Sequence, residues 1–143
     1  MKKIKPSFIP AILWSVIVTI LLTLPGSAFP KDDWLSKLLN TIGFDKWVHI
    51  GMFAILAFLW CRAFSKKSNT IKNFSHLFIW IGVICLFYGV GMEFIQKYFI
   101  PNRSFESGDI LADAVGSSIG VGISFHSFIK KIDPCRNRGR NQN

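Results

Sequence analysis

The sequence predicts an all-α membrane protein: a compact bundle of four transmembrane helices, both termini cytoplasmic, with an interfacial helix between the first two spans. Three observations carry that reading. Only 17% of the 143 residues are charged and the mean hydropathy is +0.37, against about 25% charged residues in an ordinary soluble domain. The deficit is concentrated: residues 8–24 and 77–92 contain no Asp, Glu, Lys, Arg or His, and 114–129 contain only His126. The basic residues flank these runs instead of spreading over them.

A helix crossing a hydrocarbon core of ~30 Å needs roughly 20 residues, with about 17–25 tolerated. Four segments meet that length, at about 8–24, 47–64, 74–95 and 110–129. Backbone groups in lipid must be satisfied within the segment, so runs of this length are read as helices. Lys2, Lys3 and Lys5 precede the first span. Arg62, Lys66, Lys67 and Lys72 lie between the second and third, and Lys130, Lys131, Arg136, Arg138 and Arg140 follow the fourth. Those twelve of the seventeen bases share one side, which the positive-inside rule makes cytoplasmic. The first run also resembles a signal peptide, with Gly26 and Ala28 at a cleavage-like spacing. Its 17 apolar residues exceed the usual 7–15, which favours a retained span.

Between the first two spans, Trp34/Leu38 and Leu35/Leu39 repeat at helical spacing, so 25–46 is read as an amphipathic interfacial helix. Residues 1–133 then form one transmembrane domain, and 134–143 a disordered cytoplasmic tail. A net charge of +9 invites a nucleic-acid reading, but its bases are explained by topology and no nucleic-acid-binding motif is present. Cys61, Cys85 and Cys135 have neither disulfide-framework nor metal spacing and are read as small packing residues.

The acids have the opposite distribution. Of eight, only Asp133 falls on the inner side; Asp32, Asp33, Asp45, Glu93, Glu106, Asp109 and Asp113 fall on the outer. Asp45 and His49 are four residues apart at the start of the second span, so they share a face beside Lys46. Helix capping by Asp45 is the simpler reading of that residue taken alone. Glu93 and Gln96 share a face at the end of the third span, where an ionisable group below the surface requires pairing or hydration. Arg103 is the partner expected for Glu93. Asp109 and Asp113 share a face at the start of the fourth span, which continues through Gly116 and Gly120. With Ala112, Ser117 and Gly122, these glycines form a small-residue stripe for close helix packing.

Asp45, Lys46, His49, Glu93, Gln96, Arg103, Ser104, Asp109 and Asp113 are therefore expected to converge at the outer boundary as a ligand-binding set. Carboxylates beside a His and an Arg suit acid–base work, a divalent cation or a polar headgroup. His49, Glu93 and Asp109 are the catalytic candidates, and Glu93, Asp109 and Asp113 the metal candidates.

These motifs resemble the VanZ-like family of small bacterial membrane proteins. The resemblance lies in Asp45-Lys46-x-x-His49, Glu93-x-x-Gln96, Pro101-x-Arg103-Ser104 and Asp109-x-x-x-Asp113-x-x-Gly116-x-x-x-Gly120, with Leu24-Pro25-Gly26 after the first span. It extends over residues 24–122, with one departure: Asp113 stands where the family pattern often has Asn. The resemblance implies a cell-envelope membrane location and an association, in the founding member, with low-level teicoplanin resistance.

Three function classes follow. The first is an outer-leaflet site binding a lipid headgroup or a lipid-linked envelope precursor. The second uses the same residues for acid–base or metal-assisted catalysis on a lipid-linked phosphate or acyl group, without a recognised nucleophile motif. The third is a structural membrane protein in which the cluster only joins helices. A small transporter is disfavoured, because the acids lie shallow on one side instead of at the midplane.

Overall fold

The computed structural model describes residues 8–25, 43–65, 71–101 and 103–140. Four helices make up nearly all of them: α1 (Ile9–Thr23), α2 (Phe44–Ser65), α3 (Ile71–Phe99) and α4 (Ser107–Arg140). The expected interfacial helix of 25–46 lies almost wholly outside the described residues.

Local chemistry sets the helix ends. α1 stops at Leu24, which is extended (φ −65°, ψ 131°) because Pro25 disfavours the helical region for the residue before it. Gly43 opens α2 with φ +64°, a left-handed conformation that costs glycine little, and its carbonyl accepts the Lys46 N–H at 3.0 Å. α3 ends just before Pro101, and α4 starts after Glu106, whose carbonyl accepts the Asp109 N–H at 3.0 Å. The α4 backbone remains helical through Pro134 to Arg140, where the sequence predicted disorder.

Among the described residues, two helices are long and apolar enough to cross a membrane, Asp45–Ser65 and Phe74–Phe99. α1 is apolar but only 15 residues long, and α4 does not reach the same hydropathy. The reason in α4 is its composition: Asp109, Asp113, Ser117, Gly116, Gly120 and Gly122 dilute the outward Leu111, Val115, Ile119 and Ile123.

α2 and α4 run parallel at very close approach. Gly116 lies against the backbone of Ile50, and Gly120 against the backbone of Ala54 and the methyl of Ala57. A Cβ at either glycine would fall inside contact distance of main-chain atoms. The small-residue stripe thus divides: Gly116 and Gly120 are demanded by packing, whereas Gly122 has nothing within 4 Å. Phe53, Leu56, Cys61, Phe74, Phe78 and Cys85 fill the core, so two of the three cysteines are buried packing residues. The side chain of Cys135 lies outside the described residues.

α1 is pinned by side-chain hydrogen bonds as well as by Val18 and Leu22. Trp14 Nε1 donates to the Met52 carbonyl at 3.0 Å, and Trp60 Nε1 to Ser15 Oγ at 3.2 Å. Tyr88 and Thr19 share a hydroxyl contact of 2.7 Å, and Gln96 Nε2 donates to the Leu22 carbonyl at 2.8 Å. Trp14 and Trp60 therefore turn inward to neighbouring helices, while Trp47, Trp80 and Tyr98 are exposed.

Gly116→Val and Gly120→Val are expected to destabilise the protein by about 2–3 kcal/mol, because backbone cannot yield as a flexible side chain does. The readout is the Tm of the detergent-solubilised chain. Gly122→Ala is expected to leave Tm unchanged or raise it, since the methyl enters open space and alanine favours the helix.

Candidate functional site

The α2–α4 approach brings the first turns of two parallel helices together, with the last turns of α3 beside them. Lys46 Nζ contacts Asp109 Oδ1 at 2.9 Å and Glu106 Oε2 at 3.0 Å. One turn further in, His49 Nδ1 lies 2.9 Å from Asp113 Oδ1. With Asp113 ionised the carboxylate only accepts, and Nδ1 then donates in this bond. His49 Nε2 is then directed toward Asp109 Oδ2 at 4.0 Å, beyond hydrogen-bond reach. The imidazole is parallel to the Phe53 ring, with centroids 6.5 Å apart, which fixes its plane.

From α3, Glu93 Oε2 accepts the backbone N–H of Glu106 at 3.1 Å. His49, Glu93, Asp109 and Asp113 are each 2% exposed or less, so this is an interior polar cluster and not a solvated acidic surface. Two of its own atoms, Glu93 Oε1 and Asp113 Oδ2, are buried without a hydrogen-bond partner, as is Arg103 Nε in the segment that joins α3 to α4.

Two small residues make room for the charges. The Asp113 carboxylate packs where a Cβ of Gly89 would stand, and the Lys46 side chain packs likewise over Gly108. Asp45 is exposed, and one of its oxygens forms a group with a His49 nitrogen and an Asp109 oxygen in which all ligand atoms lie within 4.8 Å of one another. That trio shares only Asp109 with the expected metal set Glu93, Asp109 and Asp113.

Most of the expected residues do meet, but several contacts differ from expectation. Glu93 is held by the Glu106 main chain, and among the described residues it makes no ion pair with Arg103. Gln96 spends its amide on the Leu22 carbonyl, so it fixes α1 to α3. Ser104 is exposed. Asp109 reaches across to Lys46 on α2. Sequence reasoning missed Glu106, which bridges Lys46 and Glu93, and Gly89, whose position four residues before Glu93 places it on the same helix face.

Residues 9–130 match the VanZ/LLP1 family. The chain belongs to that family. Neither a curated protein nor a solved structure matches it. Family membership and the two long apolar helices together fit a VanZ-like membrane protein.

Asp113→Asn retains a carbonyl oxygen for the His49 Nδ1–H bond and is expected to leave stability close to that of the parent. Asp113→Leu strands that buried donor and is expected to cost about 1–3 kcal/mol. Chemical denaturation of the purified chain in detergent compares the two. Equal, large losses would show that the carboxylate charge itself is required, not the hydrogen bond.

Proposed function

We propose that this VanZ/LLP1-family chain is a four-span membrane protein with cytoplasmic termini, whose outer polar end binds the headgroup of a membrane lipid or lipid-linked envelope precursor. The observation that carries the reading is the set of buried, unpartnered atoms Glu93 Oε1, Asp113 Oδ2 and Arg103 Nε at one end of the bundle. Each such atom costs about 1–3 kcal/mol if left unpaired, so a cluster serving only as helix glue would have paired them. A headgroup satisfies both kinds: hydroxyl or ammonium donors meet the carboxylates, and a phosphate oxygen meets Arg103. Lys46 is already shared by Asp109 and Glu106, which leaves the phosphate to Arg103.

The four-span arrangement is supported by an inside-out distribution of side chains. Large apolar residues point outward from every helix: Ile12 and Ile20 from α1, Ile55 from α2, Ile84 and Phe87 from α3, and Ile119 and Ile123 from α4. Polar His49, Glu93, Gln96 and Asp113 point inward. Orientation follows from the twelve bases of the sequence on the opposite side. Capture of an envelope precursor is also the route by which such a protein would alter teicoplanin susceptibility.

A second reading rests on the Asp45, His49 and Asp109 trio. A divalent cation there would be held by two carboxylates and His49 Nε2, with Asp113 orienting the imidazole from its far side. That ion would supply a Lewis acid for a reaction on a lipid-linked phosphate or acyl group.

Arg103→Ala and Glu93→Gln are each expected to weaken binding of phosphatidylglycerol and polyprenyl phosphate about tenfold, read by native mass spectrometry of the purified chain. Binding unchanged in both variants would remove the headgroup reading. Calorimetry with Mn²⁺ and Zn²⁺ separates the second reading: it requires binding that His49→Ala abolishes.

A further inference from the structure

Six hydroxyl side chains within the helices follow one rule. Ser15, Thr19, Thr23, Ser118, Ser124 and Ser127 each donate to the carbonyl four residues earlier. Where water is excluded, this back-bonding satisfies the hydroxyl at little cost. Ser117 departs from the rule. It is 2% exposed, yet its Oγ has no hydrogen-bond partner, although the Asp113 carbonyl lies four residues earlier on the same helix.

The Ser117 residue lines an apolar groove of about 480 Å³ between α3 and α4. Phe78, Gly82 and Leu86 wall one side, and Val121 and Phe125 the other. Two of the lining residues, Gly82 and Gly122, are not required by helix packing. A Cβ at Gly122 would meet nothing within 4 Å, and one at Gly82 only Val121 at 3.6 Å, an ordinary contact. This contrasts with Gly89, Gly116 and Gly120, where a Cβ would collide with the neighbouring helix. Gly82 and Gly122 keep volume open that larger residues would fill.

The groove continues the polar end inward along one seam. Asp113 packs against Gly89 at the top of the α3–α4 contact, and Ser117 lies one turn deeper, about 6 Å along the helix axis. Among the described residues Ser75 and Ser118 are the other polar side chains that line the groove, and no charged one does.

We propose that this groove holds one acyl chain of an ester-linked lipid, with Ser117 Oγ donating to the ester carbonyl. The inference rests on the headgroup reading above and narrows it to glycerolipids. An unpartnered hydroxyl above an apolar slot calls for an acceptor at the head of a hydrocarbon chain, and an acyl ester provides one between headgroup and chain. An isoprenoid chain carries no carbonyl at that depth. A helix of a second copy presents backbone carbonyls already committed to its own ladder.

The test uses the full chain in phosphatidylglycerol nanodiscs containing trace phosphatidylglycerol with a diazirine on one acyl chain. Labelled positions are read by peptide mass spectrometry. The expected result, resolved to single residues, is preferential labelling of Phe78, Leu86, Val121 and Phe125 over the outward Ile84, Phe87, Ile119 and Ile123. Ser117→Ala should lower it about fivefold, the effect of one hydrogen bond. Gly82→Leu and Gly122→Leu should abolish it while the fold persists, since leucine favours a helix more than glycine does; an unchanged Tm checks this. Uniform labelling of outward and groove positions, or labelling insensitive to Ser117→Ala and Gly122→Leu, would identify ordinary surrounding lipid and overturn the proposal. Groove cross-links between two chains would overturn it in favour of a second copy. Arg103→Ala separates the two readings: groove labelling that survives it leaves the chain site standing without the headgroup contact. Headgroup binding in a chain whose groove stays unlabelled defeats this inference alone.

Discussion

The close contact of α2 with α4 through Gly116 and Gly120 governs the rest of the structure. With backbone touching backbone at Ile50 and Ala54, the two helices have little freedom to slide. Their register then sets every polar contact above that point: His49 meets Asp113, and Lys46 meets Asp109. A wider spacing would carry Lys46 out of reach of Asp109 and leave a buried carboxylate without its cation. The glycines far down the helices therefore position side chains that lie one to three turns above them.

The parallel sense of that pair also explains how so many acids are tolerated. Asp45 and Asp109 sit in the first turns of α2 and α4, where unpaired N–H groups present partial positive charge. Both helix N-termini point to the same end, so their fields add over the cluster. Lys46 and the Glu106 N–H contribute two further donors. Against this stands the C-terminus of α3, whose partial negative charge is unfavourable to Glu93. That carboxylate accordingly takes its donor from the α4 side of the bundle, through the main chain of Glu106.

Different parts of this arrangement were legible in the sequence to different degrees. Helical spacing alone placed Asp45 with His49 and Asp109 with Asp113, because residues four apart share a face whatever the tertiary fold. Apolar length picked out all four helices, yet α4 falls short of α2 and α3 in hydropathy, since its outward apolar stripe is averaged with inward acids and glycines. Partner choice was not legible: nothing in the order of residues says that Gln96 reaches Leu22 or that Glu93 prefers the Glu106 main chain to Arg103. Those contacts depend on where α1 and the 100–106 segment lie. Glycines were equally opaque, because Gly116 and Gly122 look alike in a stripe, yet one touches backbone and the other faces open space.

That difference between glycines bears on function. A small residue pressed against a neighbouring helix is accounted for by packing, and a buried hydroxyl bonded to its own helix is accounted for by that bond. Gly82, Gly122 and Ser117 have neither account, and all three line the same groove. Glu93 Oε1, Asp113 Oδ2 and Arg103 Nε lack one at the polar end. Asp113 is the residue common to both regions. Its Oδ1 is committed to His49, and its Oδ2 is left open against Gly89 at the head of the seam that leads to Ser117. An amide at this position would turn one acceptor into a donor. The carboxylate instead keeps two acceptors, one holding the imidazole and one unfilled, which suits a ligand that brings its own hydrogen-bond donor.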